Sequence, residues 1–209
     1  MNIDSRIAEI MAKMKGLSEK NPVDTCGEFP PKWSKPLYEE RVRKFEEQYG
    51  ITLPEDYRRF ITTVAKGGTQ PFYGMPSIDE IKKHDLKADL AQKFPYTLKD
   101  PLNIEKLTDA EYRALFDSDV SEKGFIELCD EGCAMYSILI VNTDDEETYG
   151  TVWFYDLAND VGILPLIDPK SGAAMRFSDW LEYYVDRSLE LDDEDYFSYI
   201  ELTADPTED

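Results

Sequence analysis

The spacing of apolar residues changes near Gly124: upstream it follows the helical period, from there to Ile167 it becomes strand-like, and from Ser178 it is helical again. Ile3, Ile7, Ile10, Met11 and Met14 form a stripe opposite Arg6, Glu9 and Lys13, which predicts an amphipathic docking helix. Pro22, Gly27, Pro30, Pro31 and Pro36 then break the chain, so 16–36 reads as an irregular connector pinned by Phe29 and Trp33. Val42, Phe45 and Tyr49 predict a second helix, with Gly50 placed for a left-handed C-terminal cap. Thr52 and Glu55 have capping-box spacing, Pro54 suits a first turn, and Tyr57, Phe60, Ile61 and Val64 give a third helix its inward face. Gly67-Gly68 stops that helix where the chain must turn sharply or approach another backbone, and one of the two is expected at positive φ.

Ser77 to Glu80 and Thr108 to Glu111 repeat the capping-box spacing and predict two further short helices, the second with Tyr112, Leu115 and Phe116 on one side. Phe125 to Cys129, Met135 to Val141, Thr151 to Asp156 and Val161 to Ile167 are β-branched or aromatic runs separated by turn residues. They predict four consecutive strands in a meander. Ser178 is placed to cap a last long helix whose Trp180, Leu181, Tyr184, Val185 and Leu189 would cover the sheet. Beyond Leu191, the residues Tyr196, Phe197, Tyr199, Ile200 and Leu202 predict a short docked helix, with a frayed end from Thr203. The pattern gives an α+β fold, an antiparallel or mixed sheet of about four to six strands covered by helices. The chain divides into an N-terminal helix with its Pro-rich connector (1–36), one α+β domain (37–191) and an acidic tail (192–209).

The run Tyr49-Gly50-Ile51-Thr52-Leu53-Pro54-Glu55-Asp56-Tyr57, through Phe60 to Gly67-Gly68, resembles the opening signature of the SUKH superfamily (Smi/Knr-like). That superfamily comprises immunity proteins and fungal cell-wall synthesis regulators. Gly124-Phe125-Ile126-Glu127-Leu128-Cys129, Gly132-Cys133, Leu139-Ile140-Val141-Asn142 and Gly150-Thr151-Val152-Trp153 follow in the order such proteins show. Phe177-Ser178-Asp179-Trp180-Leu181 is similar to their terminal Phe-x-x-Trp-Leu helix. Ala134 stands where relatives often carry glycine, and an insert from Ile81 to Val120 is poorly matched. The resemblance implies a SUKH-like α+β domain. It also implies a non-enzymatic immunity protein that holds a cognate toxin, often a nuclease or deaminase, in an inactive complex. The alternative it leaves is a regulatory scaffold of the same fold acting on an endogenous partner.

Charge adds the sign of the partner. The net charge is −21, yet residues 1–100 carry 17 Lys/Arg against 16 Asp/Glu, while 101–209 carry 6 against 28. Such a surface repels nucleic acid and anionic membranes; it either attracts a basic protein, with steered, salt-sensitive association, or serves only to keep the chain in solution. Candidate contacts are Asp144, Asp145, Glu146 and Glu147 on a hairpin connection, and Asp192, Asp193, Glu194 and Asp195 beyond the last long helix. Trp153 joins them as an aromatic that could face a cleft. No run approaches the roughly 20 apolar residues that span a bilayer. Three cysteines and no secretory leader point to a reducing compartment, the cytoplasm, and the expected state is a monomer or weak homo-oligomer.

Chemistry finds little support. His84 is the only histidine, set between Lys83 and Asp85 on a polar segment where solvation is expected. No nucleophile elbow, P-loop or Gly-x-Gly-x-x-Gly is present. Cys129 and Cys133 are spaced Cys-x3-Cys, but only Cys26 and His84 could complete a tetrahedral set, so neither a metal nor a disulfide is expected. A calcium loop begun at Asn142 puts Glu147 where glycine is needed and Trp153 where the bidentate glutamate belongs. Trp153, Phe154 and Tyr155 must alternate between faces; the leading reading places these aromatics in the core, and the alternative keeps Phe154 there while Trp153 and Tyr155 face a cleft or a helix. The sequence therefore reads as a binding protein with no cofactor and no catalytic residues.

Overall fold

A computed structural model describes residues 2–17, 30–116, 122–191 and 197–203. Five α-helices are present: α1 (Ile3–Leu17), α2 (Glu39–Tyr49), α3 (Glu55–Thr63), α4 (Asp109–Phe116) and α5 (Phe177–Glu190). Five strands accompany them: β1 (Leu102–Asn103), β2 (Phe125–Gly132), β3 (Met135–Ile140), β4 (Val152–Asp156) and β5 (Gly162–Pro165). The sheet order is β1-β5-β4-β3-β2 with every neighbour antiparallel, so β2 to β5 form the expected meander. The fifth strand, β1, comes from the insert and pairs Leu102 with Ile163 and Asn103 with Gly162. Gly162 is required there: a Cβ would lie 2.1 Å from the Leu102 carbonyl oxygen.

Both faces of the sheet are covered, which is why all five residues of β4 are buried. On one face Ile126, Leu128, Leu139 and Phe154 pack with α3, α5 and α1, whose Ile7, Ile10, Met14 and Leu17 are all buried. On the other, Phe125, Ile138, Ile140, Trp153 and Tyr155 pack with Leu86, Phe94, Ile104 and Leu115 of the insert. The insert is thus a second core layer. A register shift between Glu127 and Cys129 turns Leu128 and Cys129 into the same core, breaking strict alternation along β2.

Several local expectations are corrected. α3 begins at Glu55 with Pro54 as an unassisted N-cap; Thr52 does not cap it, and Glu46 Oε1 of α2 instead accepts the Leu53 N–H at 3.0 Å. Neither Gly67 nor Gly68 has positive φ. Both serve close approach: Gly68 bridges to Trp33 and Met75, and a Cβ on Gly67 would lie 2.4 Å from the Met75 carbonyl oxygen. α5 starts at Phe177, and Ser178 donates rather than caps, its N–H reaching Asp56 Oδ2 of α3 at 2.9 Å. Ser77 leaves the segment that follows it uncapped, and that segment is a 3-10 turn over Ile78–Lys83. At Thr108 the capping box does form, with Glu111 Oε2 accepting the Thr108 N–H at 2.9 Å. Gly50 is left-handed as expected (φ 65).

α1 is fastened to α5 by charge as well as by its apolar stripe. Arg6 reaches Asp179 at 2.7 Å and Glu182 at 2.8 Å, while Lys13 reaches Glu182 at 2.9 Å and Asp186 at 2.7 Å. These half-exposed pairs set register more than stability, and the buried stripe holds the helix down. At the other end of the chain, Phe197, Tyr199 and Leu202 are buried around a 3-10 turn over Tyr199–Leu202, the short docked element expected there.

Candidate partner-binding surface

The acidic quartet lies on the connection from β3 to β4, and its four carboxylates do different work. The Asp145 carboxylate turns inward and accepts the N–H and hydroxyl of Thr148, closing the turn as an Asx-type cap. Asp144 and Glu147 are exposed but stand 3.2 Å from Lys93 and from Lys99, two cations of the insert. Glu146 is exposed. The hairpin therefore presents three outward carboxylates, two of them partly offset by lysines that lie 50 residues away in sequence. Screened pairs of this kind contribute little to stability and are easily exchanged for a partner's cations. Asp192, Asp193, Glu194 and Asp195 lie outside the described residues.

Trp153 is corrected to a core residue. It is fully buried under the insert, edge-on to Phe94 at 5.1 Å, and its indole N–H donates to Thr151 Oγ1 at 2.8 Å. Tyr155 is buried on the same face. The strand pattern set their common side correctly, but the covering layer comes from the insert, and no local spacing shows that the insert folds over this face.

One surface feature has no signal in the sequence. α2 and the 3-10 turn at Ile78–Lys83 flank a groove of about 800 Å³, where Arg41, Lys44, Lys82 and Lys83 surround Phe45 and Tyr49. Tyr38, at the start of α2, is 83 % exposed. The four cations come from two segments about 40 residues apart and share the groove with Asp79 and Glu80. Arg41 lies 3.8 Å from Asp79, Lys83 2.9 Å from Glu80 and Lys44 2.7 Å from Glu40, so the fold assembles a surface of mixed charge there.

Among the described residues, the buried His84, Glu127 and Glu131 bond to backbone or hydroxyl groups. His84 is buried, contrary to the expected solvation: its Nε2 lies 2.9 Å from the Ser77 carbonyl oxygen, which requires Nε2–H to be the donor and leaves Nδ1 without a partner. Burial lowers its pKa, favouring the neutral ring. Its contact with Ser77 is through the backbone, so no nucleophile is activated. Cys129 is a buried free thiol whose pKa burial raises, and Cys133 is an exposed free thiol in the β2–β3 turn. Cys26 lies outside the described residues. Among the described residues no group of three or more His, Cys, Asp or Glu is arranged to hold a metal ion, and no helix is long and apolar enough to cross a membrane. Two glutamates are buried, Glu127 against the backbone of Leu86 and Glu131 against the segment 197–203. Both anchor chain segments.

No curated protein matches the chain closely enough to add a relative. The family model described as the SMI1 / KNR4 family (SUKH-1) matches residues 36–183, from the strand-like entry to α2 as far as the middle of α5, so it takes in the whole sheet and leaves α1 outside. Coverage of that extent, over the same ordered blocks that form the helix pair, the meander and the closing helix, shows that the chain belongs to the SMI1 / KNR4 (SUKH-1) family.

Proposed function

We propose that this protein is a non-enzymatic immunity protein that binds and neutralises a cognate bacterial toxin, of nuclease or deaminase type, through a basic face of that toxin. Membership of the SUKH-1 family carries the reading. The excess of 28 Asp/Glu over 6 Lys/Arg in residues 101–209 supplies the sign of the partner. Asp144, Glu146 and Glu147 at the hairpin tip, with Asp192 to Asp195, are the proposed contacts, and Asp145 supports them by shaping the turn. Inhibition would act by occluding the toxin or by matching its charge. The protein would act in the cytoplasm as a monomer or weak homo-oligomer.

The test is capture of the product of the adjacent gene by the purified full chain. Immunity requires that loss of this gene be lethal only when the neighbouring gene is intact; viability of the single deletion beside an active neighbour overturns it. Neutralising Asp144, Glu146 and Glu147 to Asn and Gln is expected to slow association and flatten its salt dependence. A second reading, a regulatory scaffold acting on an endogenous partner, draws on the groove beside α2, where Phe45 and Tyr49 lie among charges of both signs and would suit a partner other than a uniformly basic toxin. It is favoured where a partner is captured without any toxicity.

A further inference from the structure

Glu131 is 2 % exposed, on the helix-covered side of β2. Its Oε1 accepts the Ser137 hydroxyl of β3 at 2.9 Å. Its Oε2 accepts the Ser198 hydroxyl and the Tyr199 N–H, each at 3.3 Å. The same Ser137 oxygen accepts the Trp180 indole N–H at 3.1 Å, and Tyr199 stacks on Trp180 with centroids 5.7 Å apart while donating its hydroxyl to the Trp180 carbonyl. One carboxylate therefore joins β2, β3 and the C-terminal segment, and through Ser137 it touches α5.

The hydrogen bonds from Ser137, Ser198 and the Tyr199 N–H favour the ionised form, but these donors are neutral, and burial outweighs them. The titratable groups around it are Cys129 and Asp130 on its own strand, Tyr199 on the segment, and Tyr183 and Tyr184 on α5 behind Tyr199; β3 contributes only the neutral Ser137. All are acids, and among the described residues no cation forms an ion pair with Glu131. A carboxylate so placed favours its neutral form, and burial pushes its pKa up to about 7. The cover over Oε2 is the segment itself, so lifting residues 197–203 rehydrates the carboxylate.

We propose that Glu131 is a pH-operated latch for the C-terminal segment: neutral Glu131 keeps residues 197–203 docked against β2 and α5, and ionised Glu131 loosens them. The proton is bound more tightly in the docked state than in the undocked one. Docking is therefore strongest below the ordinary glutamate range and weakens as pH rises through about 7. The segment is flanked in sequence by Asp192 to Asp195 and by Asp205, Glu208 and Asp209. On the functional reading above, on which this one consequence rests, the latch sets how the acidic tail is presented to a partner.

The test uses the full chain and no partner, so its failure leaves that functional reading untouched. Amide exchange of 197–203, corrected for intrinsic chemical rates, is followed from pH 6 to pH 8 by mass spectrometry, beside a carboxyl-carbon NMR titration of Glu131. Protection of the segment is expected to fall about tenfold over this range, with the Glu131 resonance titrating near the same midpoint. Glu131→Gln is expected to abolish the fall, while Glu127→Gln keeps it. Constant protection in the wild-type chain, titration of Glu131 in the ordinary carboxylate range, or a fall that persists in Glu131→Gln overturns the proposal. The wild-type measurements alone decide it should the Gln variant not fold.

Discussion

Asp56 Oδ2 accepts both the N–H of Ser178 at 2.9 Å and its hydroxyl at 3.1 Å, so the first turn of α3 caps the first turn of α5 across 122 residues. The helix pair at the start of the domain and the helix that closes it are thereby locked in one orientation. Phe60 and Tyr57 pack on Phe177 at 5.2 and 5.1 Å beside this contact, so the polar cap sits at the rim of an aromatic cluster.

Removing the cap has a bounded cost. Asp56→Ala strands the Ser178 N–H, an orphan of the α5 first turn, and is expected to destabilise by about 1–2 kcal/mol. Urea denaturation reads this directly, and an unshifted midpoint would show that the contact contributes nothing.

The glycines separate steric from conformational need. Gly67→Ala is expected to cost about 1–3 kcal/mol because the obstructing atom is a backbone oxygen at 2.4 Å that cannot swing away. Gly16→Ala, in α1 with only Leu189 Cδ2 at 3.5 Å, is expected to be neutral or to stabilise by about 0.5–1 kcal/mol through helix propensity. Equal melting shifts for the two variants would contradict the close-approach account of Gly67.

The β2–β3 turn carries removable strain. Cys133 and Ala134 are both left-handed, at φ 53 and 62, as a two-residue hairpin turn between Gly132 and Met135 requires. Ala134 occupies a position that glycine fills more cheaply. Ala134→Gly is expected to stabilise by about 1 kcal/mol, seen as a higher melting temperature; a lower one would mean the turn tolerates its alanine without strain.

Acidification should stabilise this acidic protein. Glu127 Oε2 accepts the Leu86 N–H at 2.7 Å, and burial, then the nearby Asp85 and Asp130 charges, push its pKa up to about 7. The folded value exceeds the unfolded one, so the folded state binds the proton more tightly; this contribution is complete below the ordinary glutamate range and is lost as pH rises through about 7. Stability from chemical denaturation is expected to fall between pH 5 and pH 8, less so in Glu127→Gln. A profile that rises over this interval would show that Glu127 stays ionised in the folded protein.

Local pattern along the chain sufficed for the helices α1 to α4, the four-stranded meander, the closing helix and the docked C-terminal turn. Each of these is encoded locally, by apolar period, by breakers such as Gly50, and by β-branched runs between turns. It also placed Asp144 to Glu147 on an exposed connection, since a charged run between two strands has nowhere else to go. What only the tertiary structure decided are the relationships between distant segments. Thr52 and Ser178 have the residue types and spacing of caps, yet neither caps its helix: Glu46 accepts the Leu53 N–H, and Asp56 accepts the N–H and hydroxyl of Ser178 itself. Trp153 alternates correctly but is buried, because the insert folds over it with Phe94 and Leu115. The hairpin carboxylates meet Lys93 and Lys99, and Arg41 meets Asp79 across a groove, only after the chain has folded. A period along the chain reports which side of an element is apolar. What covers that side, and which charges become neighbours, depends on contacts between segments that no local spacing encodes.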